Sequence, residues 1–205
     1  MLLLRPYQID IVDQSRAALL AGCRRLLLQL GTGGGKTVLM AHLLARAAAR
    51  NRRSWFIVHR KELLEQAVQT FVEAADIHTG IVAAGYPADP AAPVQVCSVG
   101  SLKRRMAALQ SPDLIVFDEC HHIASASWSA IAAAAPRAHH IGLTATPQRL
   151  DGKGLGAYFD RRLRGPTVAT LIADGYLSPY RLFAPGTMDT STLHRGAGDF
   201  NKAEV

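Results

Sequence analysis

The sequence predicts an α/β fold with a mostly parallel sheet and helices on both faces, and three observations predict it. Short apolar runs alternate with segments of helical periodicity from Leu26 to Leu143. The first of these runs ends in a glycine-rich loop that opens directly into a helix. A later run, Leu114 to Phe117, ends in two adjacent acids, Asp118-Glu119. Runs that are apolar at every position bury both faces of a strand, which is the condition of a parallel sheet covered by crossover helices.

Taken in order, apolar residues recur at helical spacing from Tyr7 to Gly22 (Ile9, Ile11-Val12, Leu19-Leu20), with Pro6 at the start and Gly22 at the stop. Leu26 to Leu30 reads as a buried strand and Lys36 to Arg50 as an alanine- and leucine-rich helix. Trp55 to Val58 is a second strand and Lys61 to Ala75 an amphipathic helix. Tyr86 to Pro93, rich in Pro and Ala, reads as a surface loop. Val94 to Val99 is a third strand, followed by a helix over Ser101 to Leu109. Leu114 to Phe117 is a fourth strand, Trp128 to Ala135 a helix and His140 to Leu143 a fifth strand. Such alternation makes βαβ units. Past Thr146-Pro147, Gly152, Gly154, Gly156 and Gly165 break the pattern into loops, and Thr167 to Ala173 alone looks helical. No internal repeat is visible.

Of 205 residues, 49% are hydrophobic and 19% charged, which suits a buried globular core and excludes a disordered tail. No apolar run reaches the roughly 18–20 residues of a membrane span, and Met1 to Leu4 is too short for a signal-peptide core. A soluble, cytoplasmic protein with no membrane partner is expected. Cys23, Cys97 and Cys120 are odd in number and far apart, so neither a disulfide framework nor a zinc knuckle is expected. Net charge is +7, with arginine clusters at Arg24-Arg25, at Arg50 with Arg52-Arg53, and at Arg161-Arg162 with Arg164; Lys103-Arg104-Arg105 forms another basic cluster. This balance favours polyanionic partners such as nucleic acid, although any one cluster is also compatible with an ordinary solvated surface.

Gly31-Thr32-Gly33-Gly34-Gly35-Lys36-Thr37 lies between a buried strand and a helix. Glycines let successive backbone N–H groups turn inward as a phosphate cradle, and the helix that starts there adds its positive dipole end. Lys36 can reach the β- and γ-phosphates, and the Thr37 hydroxyl can ligate Mg²⁺. ATP and Mg²⁺ are the implied cofactors, with Thr32, Gly33, Gly34 and Gly35 around the phosphates. The general pattern has a glycine where this chain has Leu30, so only the G-x-G-K-T half matches. The second motif is Asp118-Glu119-Cys120-His121, after a strand expected to neighbour the first. Asp118 would hold Mg²⁺ through water, and Glu119 is the candidate base that orients and deprotonates the attacking water. Cys120, His121 and His122 are consecutive and rarely point at one ion, so a metal site there is not expected.

In this order the two motifs resemble motifs I and II of superfamily 2 helicases of the DExH form, members of the DEAD/DEAH-box superfamily. In that family the first motif reads A-x-x-G-x-G-K-T, and Leu30 stands in the alanine's place. The resemblance implies a RecA-like ATPase lobe and gives His121 a coupling role. Leu4-Arg5-Pro6-Tyr7-Gln8 resembles the adenine-recognising Q-motif, where Gln8 would bond the base edge and Arg5 or Tyr7 would help. Val58 to Gln66 resembles motif Ia, with Arg60 near the nucleic-acid backbone. Ser98 to Leu102 resembles the segment around motif Ib, with Ser101 capping a helix and meeting a phosphate. Leu143 to Pro147 resembles motif III, with Thr144 and Thr146 linking hydrolysis to the nucleic-acid site, and Gln148 to Gly152 extends the match. The wording of motifs Ia and III is most similar to restriction-enzyme motor subunits, xeroderma pigmentosum B-type helicases and phage or prophage helicases, which implies DNA ahead of RNA and possible nuclease or methylase partner subunits.

Helicases of this superfamily carry a second RecA-like lobe with arginine fingers, and nothing after Asp151 resembles those motifs. The expected organisation is an ATP-binding lobe over residues 1–164 and, over 165–205, a passage toward a second lobe. Two other classes stay open: a P-loop ATPase or kinase acting without nucleic acid, and a non-catalytic nucleic-acid-binding module. The motif Ia run counts against the first, and intact Lys36, Thr37, Asp118 and Glu119 count against the second.

Overall fold

The computed structural model describes residues 3–146 and 154–181, and the backbone of a short antiparallel pairing between Arg195–Gly196 and Asp199–Phe200. The chain order is α1 (Pro6–Leu20), β1 (Arg25–Gln29), α2 (Lys36–Ala48), β2 (Ser54–Val58), α3 (Lys61–Ala75), β3 (Thr79–Val82), β4 (Val94–Ser98), α4 (Val99–Arg105), β5 (Leu114–Phe117), α5 (Ala126–Ala134), β6 (His139–Thr144), β7 (Arg161–Arg164) and α6 (Val168–Ala173). The seven strands form one sheet in the order β3-β4-β2-β5-β6-β1-β7, and every pairing in it is parallel.

The strands alternate with the period of two that a pleated sheet imposes. Leu26, Leu28 and Leu30, with Phe56, Val58 and Val116, join one core under α1, α2 and α3, where Ile11, Leu39, Leu44, Leu64 and Phe71 are buried. Leu27, Trp55, Ile57, Ile115 and Phe117 face the opposite core, closed by Leu102 of α4, Trp128 and Ile131 of α5, and by Leu155 and Phe159. Helices therefore cover both faces.

Two strands lie where the sequence showed none. β3 is a four-residue edge strand, and β7 carries one buried residue, Leu163, among three exposed arginines. An edge strand covered on one face needs no apolar run, and charge along an edge discourages pairing with other chains. The sheet is thus wholly parallel, with the Arg161–Arg164 cluster at its border. The helix expected over Ser101 to Leu109 begins earlier, at Val99, and gives way to a single 3₁₀ turn at Met106–Ala108.

Candidate functional site

Because the sheet is parallel, β1, β2, β4, β5 and β6 all end on one side of the molecule, and each chemistry-bearing loop leaves from that side. β1 runs into the glycine loop, where Gly33 and Gly35 take left-handed φ of 77° and 72°, a conformation glycine adopts without strain. The first bond inside α2 runs from the Leu39 N–H to the Gly35 carbonyl at 3.0 Å. The N–H groups of Lys36, Thr37 and Val38 therefore have no helical acceptor, and no side chain caps the helix at Gly35. These free donors, the dipole of α2 and the Lys36 amine fit the phosphates of a nucleotide. Lys36 Nζ meets the Leu30 carbonyl at a long 3.4 Å, a contact easily exchanged for a phosphate oxygen. Thr32 is exposed on the loop and Thr37 half-buried at its end.

β5 delivers Asp118 and Glu119, but it is not the hydrogen-bonded neighbour of β1 that the sequence suggested: β6 lies between them. Burial pushes the Asp118 carboxyl up to about 6, and the Glu119 charge adds to the rise. The Glu119 N–H, 3.1 Å from Asp118 Oδ1, then Lys36 and His121 pull the other way. Lys36 and Asp118 thus share one electrostatic site although 82 positions apart in the numbering of the chain. A half-buried carboxylate beside the phosphate loop suits a hard divalent cation, for which Thr37 would be the hydroxyl ligand. Glu119 sits at φ 48° and ψ 52°, left-handed for a residue with a side chain, a strain of the kind concentrated at functional sites. Its Oε2 lies 3.4 Å from His121 Nδ1, an ion-pair distance whose angle leaves Nδ1 without a hydrogen-bond partner.

β6 contributes Thr144, which is buried. Its hydroxyl donates to the Thr146 carbonyl at 2.7 Å and accepts from the Thr146 N–H at 3.1 Å. Its carbonyl accepts the Leu30 N–H at 3.1 Å, so this turn is tied to the root of the phosphate loop. Pro147 and the Gln148 to Gly152 extension lie outside the described residues.

At the other flank of the loop, the Tyr7 hydroxyl donates to the Gly34 carbonyl at 3.0 Å and accepts from Arg5 Nη1 at 3.2 Å. Gln8, expected to read the base edge, is bonded to backbone groups of α1 and the loop. Its Oε1 accepts the Arg5 N–H at 2.9 Å, and its Nε2 donates to the Gly35 and Gly34 carbonyls at 3.3 and 3.5 Å. With 2% of the residue exposed, Gln8 is a tether between α1 and the phosphate loop.

Arg60 is exposed at the start of α3, on the half of the sheet away from the phosphate loop. Beside it His59 packs on His122 at 5.2 Å between ring centroids, which places the β2–α3 loop against the turn after Glu119. Ser101 departs from expectation. Ser98, in extended conformation, occupies the cap position of α4, while Ser101 lies inside the helix with 4% exposed. It therefore does not cap the helix. The exposed basic residues of α4 are Lys103, Arg104 and Arg105 in its last turn.

α6 and the residues after it form a further layer over the loop that was not expected from the sequence. Val168 and Leu177 sit where side chains on Gly31 and Gly33 would be: a Cβ on those glycines would lie 2.9 and 2.8 Å from them. Tyr176 meets the ring of Tyr7 edge-on at 5.4 Å. The available signal was the helix stop at Gly175, φ 75°, with an aromatic after it. A cavity of about 420 Å³ opens elsewhere, between α2 and α3, and holds none of these residues.

The family model of the type III restriction enzyme res subunit matches residues 1–149. The chain is 31% identical over 179 residues to a 51.5 kDa protein of Lactococcus phage (isolate 7-9), covering 87% of this chain and 37% of that protein. It is 35% identical over 191 residues to a Schizosaccharomyces pombe protein named as mitochondrial ATP-dependent helicase irc3, covering 85% and 31%. The chain thus spans about a third of the length of these relatives. Among solved structures, a nuclease-deletion mutant of the type ISP restriction-modification enzyme LlaGI, in complex with a DNA substrate mimic, matches with a TM-score of 0.67 and 16% identity, over 85% of this chain and 21% of that one.

Proposed function

The chain belongs to the family of the type III restriction enzyme res subunit and is the N-terminal RecA-like lobe of a superfamily 2 helicase, and from that premise we propose that it binds Mg-ATP in a motor that moves on DNA. The observation that carries this is the meeting of the free N–H groups of α2 and Lys36 with the half-buried Asp118 at one end of the sheet. Bound Mg-ATP would supply the phosphoryl group whose loss drives the motor. The loop N–H groups and Lys36 would hold its phosphates, Asp118 and Thr37 its cation, and Glu119 would take the proton of the attacking water.

Movement on DNA is inferred from the restriction and helicase relatives, with Arg60 on the nucleic-acid side and Ser101, buried in α4, the weaker candidate there. Thr144 would pass a change at the loop to the next lobe through its bonds to Leu30 and Thr146, and His121 would do so from beside Glu119. Residues 1–164 form the ATPase lobe in this reading, and 165–205 lead toward a second RecA-like lobe of the whole protein. That lobe would bring arginine fingers worth roughly 10³–10⁵ in rate, so the 205-residue chain alone should bind Mg-ATP and turn it over very slowly. Nuclease or methylase subunits are possible partners of the whole protein. Its site of action is taken to be the cytoplasm, in keeping with three free cysteines; among the described residues no helix is long and apolar enough to cross a membrane.

Two variants test the assignment. Lys36→Ala should abolish tight nucleotide binding with the melting profile unchanged. Glu119→Gln in the native-length protein should keep ATP binding and lose hydrolysis by about 10²-fold or more. Normal hydrolysis by Glu119→Gln would remove Glu119 from the role of base.

A further inference from the structure

On the reading that the glycine loop holds the phosphates of a nucleotide, we propose that Tyr176, backed by Arg5, is the stacking surface for its nucleobase. Tyr176 stands one ring away from the loop, because the Tyr7 ring that it meets at 5.4 Å and 69° donates its hydroxyl to the Gly34 carbonyl. Its place is fixed independently from the other side. The Tyr176 N–H donates to the Leu171 carbonyl at 2.8 Å, and the next residue, Leu177, lies against Gly33. Val168, at the start of the same segment, lies against Gly31. The segment therefore rests on two loop glycines that have no side chain to push it away.

The chemistry of the pair is that of a base-stacking site. The Arg5 guanidinium lies over the Tyr176 ring, 5.0 Å from its centroid, and among the described residues no carboxylate pairs with Arg5. A planar cation and a half-exposed aromatic ring beside a phosphate cradle present the two surfaces on which purine rings stack. The residue expected to read the base edge, Gln8, has both ends of its amide engaged by backbone groups. Stacking on Tyr176 is then a source of base affinity separate from any contact that Gln8 makes.

The test compares Mg-ATP with Mg-tripolyphosphate, which fills the same cradle without a base, by calorimetry on the 205-residue chain. The native chain should bind Mg-ATP more tightly than tripolyphosphate. Tyr176→Ala should weaken Mg-ATP by roughly 5- to 150-fold and leave tripolyphosphate within about twofold. Tyr176→Phe should restore Mg-ATP. Should Tyr176→Ala fail to fold, Tyr176→Leu keeps apolar bulk against Tyr7 and carries the same comparison. Equal losses for both ligands would reduce Tyr176 to a prop for the loop and overturn the proposal, as would native affinity no greater for Mg-ATP than for tripolyphosphate. If the native chain bound neither ligand, the nucleotide reading itself would fall, and the stacking assignment with it.

Discussion

Burial holds the Asp118 carboxyl near 6, above its ordinary value of 3.8, and this sets a pH dependence whose sign follows from linkage. Below about pH 4 the group is protonated in both folded and unfolded chains and costs nothing. As pH rises from there to about 6, the unfolded chain gives up its proton first, so stability falls; above 6 the cost levels off at roughly 3 kcal/mol. Asp118→Asn should stabilise the Mg²⁺-free chain by about 1–3 kcal/mol at neutral pH, with the gain shrinking as pH falls from 6 toward 4. Urea melts across that range read it, and a gain independent of pH would contradict the account. The places of Lys36, Thr37, Asp118 and Glu119 were legible because they follow from a strand end or a helix start. Those of Gln8 and Ser101 were not. A single polar side chain takes whatever partner the tertiary packing brings, here the loop carbonyls for Gln8 and the helix interior for Ser101.

Elements buried on both faces announced themselves in the chain, and elements at the sheet border did not. Leu26 to Leu30 and Leu114 to Phe117 are apolar at successive positions because a core lies on each side. β7 has one core-facing residue, Leu163, and its arginines read as surface. β6 hides another constraint. Gly142, opposite Phe117 on β5, is pressed by the Phe159 ring and by Cys120 Sγ, the latter 2.8 Å from where a Cβ would stand. Gly142→Ala should therefore destabilise the lobe by about 1–3 kcal/mol, measured by the urea midpoint, through overpacking. It should also disturb the turn that carries Glu119. An unchanged midpoint would mean that Phe159 moves aside freely. The order β5-β6-β1 also places the Thr144 end of β6 between the acid pair and the phosphate loop.

At the scale of the whole molecule, the sheet collects on one side residues scattered from Arg5 to Leu177, and the chain order alone could not show that the last of them return to the loop. Val168 opens the short helix before Gly175 and Leu177 follows that glycine, and nothing local in the sequence says that they pack on Gly31 and Gly33. If residues 165–205 lead toward a second lobe, as proposed, the segment that packs on the phosphate loop would also begin that path. In a motor built this way, nucleotide turnover and the track are linked. ATP hydrolysis by the native-length protein, measured alone and with duplex DNA, single-stranded DNA or RNA, tests that link most directly. Turnover is predicted to be slow without nucleic acid and to rise on adding DNA, most with duplex. Turnover indifferent to all three would contradict the motor account and return the chain to the P-loop enzymes that act on small acceptors.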